Sequence, residues 1–161
     1  MKKIFIVSTI LVTTILLPLL TGCVQLDAPK VQYIDYRINR VNTEGVEVNF
    51  YFDVTNKNPV SLDVANYSYD VYTNNKKVIT QTGHGFSLAA NATQRITLPV
   101  FVRYEGVFGA ALSLIESIAR GEKEMDYRVD GSISAGAMGL TATAPLKASG
   151  KIKIPANIQI R

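Results

Sequence analysis

Nine residues in the first half of the chain, 46–54, alternate apolar and polar side chains without a break. The apolar positions are Val46, Val48, Phe50, Phe52 and Val54. Successive side chains of a β-strand point to opposite faces, so this period of two puts one apolar face against a core and one polar face in water. Strands with one buried and one solvated face are typical of antiparallel sheets. The segment therefore favours an antiparallel β architecture.

Alternating segments recur along the rest of the chain, and polar or glycine-containing segments separate them. Further strands are predicted at 34–38, 62–71, 78–88, 96–102, 125–133 and 146–154. Turns are predicted at 55–59, 73–76 and 90–93, where Asn and Pro are frequent, and a loop at 136–139. Ala65-Asn66 suits a bulge, and Pro99 predicts an edge strand or a bulge because it lacks a backbone N–H.

The periodicity changes between Val107 and Arg120. Phe108, Ala111, Leu112 and Ile115 follow the spacing of one face of an amphipathic helix, and Gly121 suits its C-terminal end. The sequence thus predicts a mostly β fold, a fibronectin- or immunoglobulin-like antiparallel β-sandwich of about seven strands with one helix at about 106–120.

The first residues have the pattern of a secretory signal peptide. Lys2 and Lys3 precede an apolar run of 14 residues, 4–17, that carries no charge. A transmembrane helix is the alternative, but extending the run to Leu20 gives only 17 residues, the lower limit for a span. We predict a signal peptide at 1–22, a tether at 23–30 and one folded domain at 31–161.

Leu20-Thr21-Gly22-Cys23 resembles the lipobox of bacterial lipoproteins. The resemblance implies cleavage between Gly22 and Cys23, a diacylglycerol on the Cys23 thiol and an acylated amino group. Cys23 is the only cysteine, so it has no partner for an intramolecular disulfide. Several acyl chains hold a protein firmly in a membrane, whereas a single chain is marginal. The predicted partner of Cys23 is therefore a lipid membrane.

The residue after Cys23 and the net charge indicate where the protein lies and which partners are excluded. In lipoproteins of enteric-type bacteria, Asp after the cysteine favours inner-membrane retention. The resemblance therefore implies, with Val24 at this position, the periplasmic side of the outer membrane in a Gram-negative source. A Gram-positive source would place the protein on the outer face of its only membrane. Without Lys2 and Lys3 the chain has 15 basic and 13 acidic side chains, a net charge of +2, and no basic run. We therefore predict no nucleic-acid partner.

The residue types that usually carry catalysis are sparse. His84 is the only histidine and lies between two glycines on a predicted strand, where an ordinary strand residue is the alternative to a ligand-binding imidazole. Glu122, Glu124 and Asp126 share one face of a strand, which suits a cation or a solvated surface. Zinc sites usually draw on several Cys or His residues. We predict no metal, no cofactor and no enzyme activity.

The end of the alternating strand, Val54-Thr55-Asn56-Lys57-Asn58-Pro59-Val60, resembles the signature of group 2 late embryogenesis abundant proteins, the WHy (water stress and hypersensitive response) domain. The order of the following motifs agrees: a Tyr-rich strand at 67–72, a basic turn, a return strand with Gly83, and Tyr127-Arg128-Val129-Asp130-Gly131. Val60 stands where the family often has Asn. The resemblance covers about residues 31–155. It implies a β-sandwich with a helix and non-enzymatic protection during desiccation or other stress, with Asn56, Asn58, Pro59, Gly83, Tyr127 and Gly131 as structural motif residues.

Three functions follow as alternatives. The first is a non-enzymatic envelope lipoprotein whose WHy-like domain protects or binds envelope components, or protects client proteins, under stress. The second is an interaction or assembly module that binds another envelope protein or a glycan, since sheet edges are templates for strand addition. The third is an enzyme, which the missing catalytic constellation disfavours.

Overall fold

A computed structural model describes residues 25–41, 44–103 and 124–153, and every regular element within these ranges is a β-strand. The strands are β1 (Lys30–Val41), β2 (Gly45–Thr55), β3 (Leu62–Thr73), β4 (Lys76–Leu88), β5 (Thr93–Arg103), β6 (Glu124–Ala137) and β7 (Leu140–Lys153). The predicted helix at about 106–120 lies outside the described residues. Within the described ranges, no helix has the length and hydropathy needed to cross a bilayer.

The strands form two antiparallel sheets. One has three strands in the order β1-β2-β5, and the other has four in the order β4-β3-β6-β7. The chain crosses between the sheets through residues 56–61 and 89–92, whereas β3–β4 and β6–β7 are hairpins within one sheet. The prediction of a seven-stranded antiparallel sandwich is confirmed. Strand β5 is an edge strand, as Pro99 predicted, and the bulge expected at Ala65-Asn66 interrupts the β3–β6 pairing.

The core lies between the sheets and is built from the apolar positions of the alternating segments. Phe50, Phe52 and Val54 of β2 are buried, while Tyr51 and Asp53, which face outward between them, are only partly so. The three-stranded sheet also contributes Leu98, and the four-stranded sheet contributes Leu62, Ile133 and Leu146, all fully buried. The face assigned to β2 from its sequence is therefore confirmed.

Two strand details differ from the predictions. The loop expected at 136–139 is a two-residue turn, Met138–Gly139, because Gly136 and Ala137 continue β6 and pair with Thr141 and Leu140. Strand β7 consequently starts at Leu140, six residues before the predicted start at 146. The polar and small side chains of this segment concealed its alternation.

The apolar face of β1 also differs from its prediction. Alternation placed Ile34, Tyr36 and Ile38 on one face, but a register shift between Tyr33 and Asp35 interrupts the β1–β2 ladder. As a result, Tyr33 and Tyr36 pack against the core, and Ile34 faces outward with 38% of its surface exposed. A bulge of this kind adds one residue to one strand and reverses the face of the side chain beside it.

Candidate functional site

Four segments meet at one end of the sandwich. They are residues 25–29, the loop 56–61, the turn 89–92 and the turn Met138–Gly139. The registers place them together, because Thr55 of β2 pairs with both Lys30 and Thr93, and Leu62 and Asp63 of β3 pair with Leu88 and Gly136. We call these four segments the tether end.

The side chain of Asn56 joins two of these segments. Its amide nitrogen lies 2.8 Å from the Val60 carbonyl oxygen and 3.0 Å from that of Ala89, and it donates to both. Its backbone N–H donates to the Ala92 carbonyl at 2.8 Å. Asn56 is fully buried, so these bonds satisfy polar groups that would otherwise lose water without replacement. Because Val60 contributes only its backbone, its departure from the family's frequent Asn leaves this contact intact.

Asn58 fixes the segment that precedes the first strand. Its Nδ2 donates to the carbonyl of Asp27, and its Oδ1 accepts from the N–H of Asp27, both at 2.9 Å. The side-chain amide thus pairs with a backbone unit as a strand neighbour would. Asn58 also donates from its N–H and Nδ2 to Oδ1 of Asn56, each at 2.9 Å, and its carbonyl accepts from Asn91.

Apolar contacts hold the same segment on either side of Asp27. Leu26 packs against the hydrophobic core, and Pro29 is buried. The chain is therefore attached to the sandwich from Leu26 onward, three residues after Cys23. Cys23 and Gly22 themselves lie outside the described residues.

The remaining motif residues lie along the strands. Pro59 is exposed and follows Asn58 in the 56–61 loop. A Cβ atom on Gly83 would lie 2.0 Å from Cζ of the Tyr67 ring, and one on Gly131 would lie 2.4 Å from the Ser68 carbonyl oxygen. Both positions therefore need glycine for close packing within the four-stranded sheet.

Tyr127 connects the two sheets. Its hydroxyl donates to that of Tyr33 at 2.8 Å, and its ring lies 5.1 Å from the ring of Phe50 and 5.6 Å from that of Tyr36. Burial raises the pKa of both Tyr127 and Tyr33. Both phenols therefore stay protonated near neutral pH and bind each other, which suits packing rather than proton transfer.

The residues considered for catalysis do not converge. His84 is exposed on β4, opposite Asn66 of β3. Glu124 lies 3.7 Å from Lys151 across the β6–β7 ladder, and Asp126 is exposed, while Glu122 lies outside the described residues. Within the described ranges, no group of three or more His, Cys, Asp or Glu residues is placed to hold a metal ion.

A depression of about 220 Å³ lies on the outer face of the three-stranded sheet. It is lined by Ile34, Asp35, Arg37, Tyr51 and Arg95. Its two arginines are already engaged, since Arg95 binds both carboxylate oxygens of Asp53, at 2.8 and 3.0 Å, and Arg37 lies over the Tyr51 ring. Its volume is below the range of about 300–1,000 Å³ typical of small-molecule sites.

A comparison with protein-family models identifies the family of this chain. The model described as late embryogenesis abundant protein, LEA_2, matches residues 51–150, which is more than half of the chain. The chain belongs to the LEA_2 family. A search of curated protein sequences found no match.

Solved structures show the same fold. The solution structure of an Arabidopsis thaliana protein matches with a TM-score of 0.64 and 20% identity, over 88% of this chain and 93% of that one. The solution structure of a late embryogenesis abundant (LEA) protein has a TM-score of 0.63 and 19% identity, over 97% and 87%. A crystal structure of a protein from Archaeoglobus fulgidus reaches 0.53 with 15% identity, over 81% and 98%.

In this LEA_2 chain the motif residues do structural work at two places. Asn56 and Asn58 organise the tether end, and Gly83, Tyr127 and Gly131 permit or make close contacts between strands. Sequence reasoning missed Asp27, Tyr33 and the exposed turn at Met138. The Asp27–Asn58 contact joins residues 31 positions apart and carries no local signal. Met138 had one signal, since it lies between glycines in an uncharged segment.

Proposed function

We propose that this LEA_2 protein is a lipid-anchored envelope protein that protects other proteins or the membrane under stress such as desiccation, without catalysis. The family is generally non-enzymatic and stress-related, which favours this class of function. The observation that carries the proposal is the attachment of the chain to the sandwich at Leu26 and Asp27. Three residues extend at most about 11 Å, so acylation of Cys23 holds the tether end near the membrane surface.

The geometry supports a passive mode of action. The sandwich is closed by a continuous apolar core and by hydrogen bonds at the tether end. Its outer faces carry mixed charges, paired across strands in Arg95–Asp53, Lys151–Glu124 and Arg40–Glu47. A stable, well-solvated domain concentrated at a surface separates partly unfolded proteins from one another and from the bilayer.

The anchor is tested by changing Cys23→Ser in the full chain. We expect the variant to remain unprocessed and to take up no labelled fatty acid, whereas the parent protein is labelled and fractionates with membranes. Normal processing and membrane attachment of the variant would contradict lipid anchoring.

Protection is tested with the full lipoprotein reconstituted in vesicles. A client enzyme is dried and rehydrated with these vesicles, with empty vesicles, or with vesicles carrying an equal mass of an inert lipidated globular protein. We expect less client aggregation and less vesicle leakage with the LEA_2 protein. Equal performance of the inert protein would contradict protection.

One observation favours the alternative, an envelope interaction module. The β1 bulge turns Ile34 outward beside Tyr51, Arg37 and Arg95, which places an apolar side chain next to aromatic and basic groups on one sheet face. Such a mixture is common at protein contacts, where aromatic residues and Arg are enriched. A photo-crosslinking residue at position 34 should then yield one discrete envelope product, and the same residue at position 143, which is exposed on the outer face of the other sheet, should not.

A further inference from the structure

The large apolar side chains that the described surface exposes are few and unevenly placed. Met138 is 70% exposed and Leu140 is 41% exposed, and the third such residue is Ile34. Met138 and Leu140 flank Gly139 at the tip of the β6–β7 hairpin. Isolated exposed apolar residues are ordinary, but two beside one glycine of the same turn form a small apolar tip.

The backbone conformation at position 138 is one that methionine rarely adopts. Met138 has φ +53° and Gly139 has φ +79°, so both central residues of the turn are left-handed. Turns of this kind favour Asn-Gly, because a longer side chain is strained at positive φ. The other non-glycine residues with positive φ in the described ranges are all asparagine: Asn74, Asn75 and Asn91. Met138 is thus placed where the turn itself favours a polar residue.

The two hairpin turns of the four-stranded sheet lie at opposite ends and differ in polarity. The β3–β4 turn is Asn74–Asn75 and is followed by Lys76 and Lys77, far from the tether end. The β6–β7 turn lies at the tether end, just beyond the point where Asp63 of β3 pairs with Gly136. The apolar turn is therefore on the same end as the segment that leads to Cys23.

The charged residues of the β6–β7 hairpin lie at the end away from its apolar turn. From Gly131 to Leu146 the sequence has no charged side chain. The charged residues of the hairpin all lie toward its other end: Glu124, Asp126, Arg128, Asp130, Lys147, Lys151 and Lys153. This half of the hairpin carries no charge of its own into a lipid interface, where the burial of ions is costly.

From these observations we infer that the β6–β7 turn is a membrane-contact point. Met138 and Leu140 enter the interfacial layer of the bilayer to which Cys23 is attached, and the sandwich stands end-on, with Asn74 and Asn75 directed away. This inference rests on the proposed lipid anchor. Contact by two side chains is weak alone, but an anchor at most about 11 Å from Leu26 gives the turn a high effective concentration at the surface.

The chain has no tryptophan, so one introduced tryptophan is an unambiguous fluorescent reporter. The test uses Met138→Trp in the full lipoprotein, with Asn74→Trp as the matched control at the first position of the opposite turn. Leu140→Trp and Lys76→Trp form a second pair at the residue after each turn, in case strain at position 138 impairs folding. Each protein is reconstituted in phosphatidylethanolamine–phosphatidylglycerol vesicles with or without brominated acyl chains.

We expect brominated lipid to remove most of the emission from positions 138 and 140 and to leave positions 74 and 76 nearly unchanged. The emission at 138 and 140 should also shift to the blue when the protein joins vesicles. Equal, weak quenching at both turns would overturn the inference, and so would a blue shift without quenching, which indicates a protein contact.

The same preparation separates this inference from the anchor. Fatty-acid labelling and membrane fractionation report on Cys23, whereas quenching reports on the turn. If Cys23 proves unlipidated, coupling its thiol to a maleimide lipid in the same vesicles supplies the attachment, and quenching at position 138 still decides the inference. Cys23 is the only cysteine, so this coupling is specific.

Discussion

At the scale of single residues, two asparagines determine how one end of the molecule is built. Asn56 and Asn58 are 0% and 4% exposed, and their amides bond to one another and to backbone groups of three segments. Asparagine suits this position because one short side chain supplies both donors and an acceptor. These bonds stabilise the fold because the asparagines are buried. If one bond were lost, no water would be available to hydrogen-bond the polar group that it left.

Asn56→Ala is expected to lower the free energy of unfolding by about 2–4 kcal/mol, because each buried partner left unsatisfied costs about 1–3 kcal/mol. Denaturant unfolding measures this change. Asn66→Ala is the control, since Asn66 is exposed at the β3 bulge, and it should change stability by no more than about 0.5 kcal/mol. Similar small effects of both substitutions would show that the network contributes little.

Met138→Asn is expected to raise the stability of the protein by about 1 kcal/mol, since asparagine tolerates positive φ at lower cost. Met138→Leu retains both the apolar side chain and the strain, so it should give no such gain. Thermal unfolding in mild detergent compares the two variants with the parent. A gain for neither or for both would mean that backbone strain at this turn is not the reason.

At the scale of strands, alternation predicts a face correctly when the ladder is regular. Strand β2 is central in its sheet and pairs without a shift with β5, so its sequence pattern and its burial agree. In β1 the same reasoning fails at Ile34, because the bulge after Tyr33 is specified by pairing with β2 and not by local sequence. The start of β7 was missed because its residues 140–145 are mostly small or polar.

Phe52→Ala is expected to cost about 3–5 kcal/mol, the range for truncating a fully buried ring. Phe52 is 0% exposed, and its ring also contacts Tyr33 edge-on at 5.4 Å. Tyr51→Ala, on the opposite face of the same strand, should cost only about 1 kcal/mol, chiefly its stacking with Arg37. Equal losses in denaturant unfolding would contradict the assignment of the two faces.

At the scale of the whole molecule, the sequence predicts two layers of antiparallel strands but not which strands share a sheet. Strand order depends on which residues distant in the chain meet, as Tyr33 and Tyr127 do across the core. The same limit applies to the candidate site. Asn56, Asn58 and Pro59 are identifiable from the motif, but their partner Asp27 and the neighbouring Met138 turn become visible only when the strands are assembled.

The assembled strands give the sandwich two different ends. Residues 25–29, the asparagine network and the apolar turn lie at one end, and the Asn74–Asn75 turn lies at the other. We interpret this difference between the two ends as that of a domain held at a membrane surface by one end. The interpretation depends above all on the chemical state of Cys23.

Mass spectrometry of the protein isolated from its own membranes tests this central claim most directly. Trypsin cleaves after Lys30, the first basic residue beyond Cys23, so the mature chain should begin with the peptide 23–30. We predict that this peptide carries a diacylglyceryl group on the Cys23 thiol and an acyl group on the amino terminus. An unmodified Cys23, or a peptide that continues upstream through Gly22, would contradict the account.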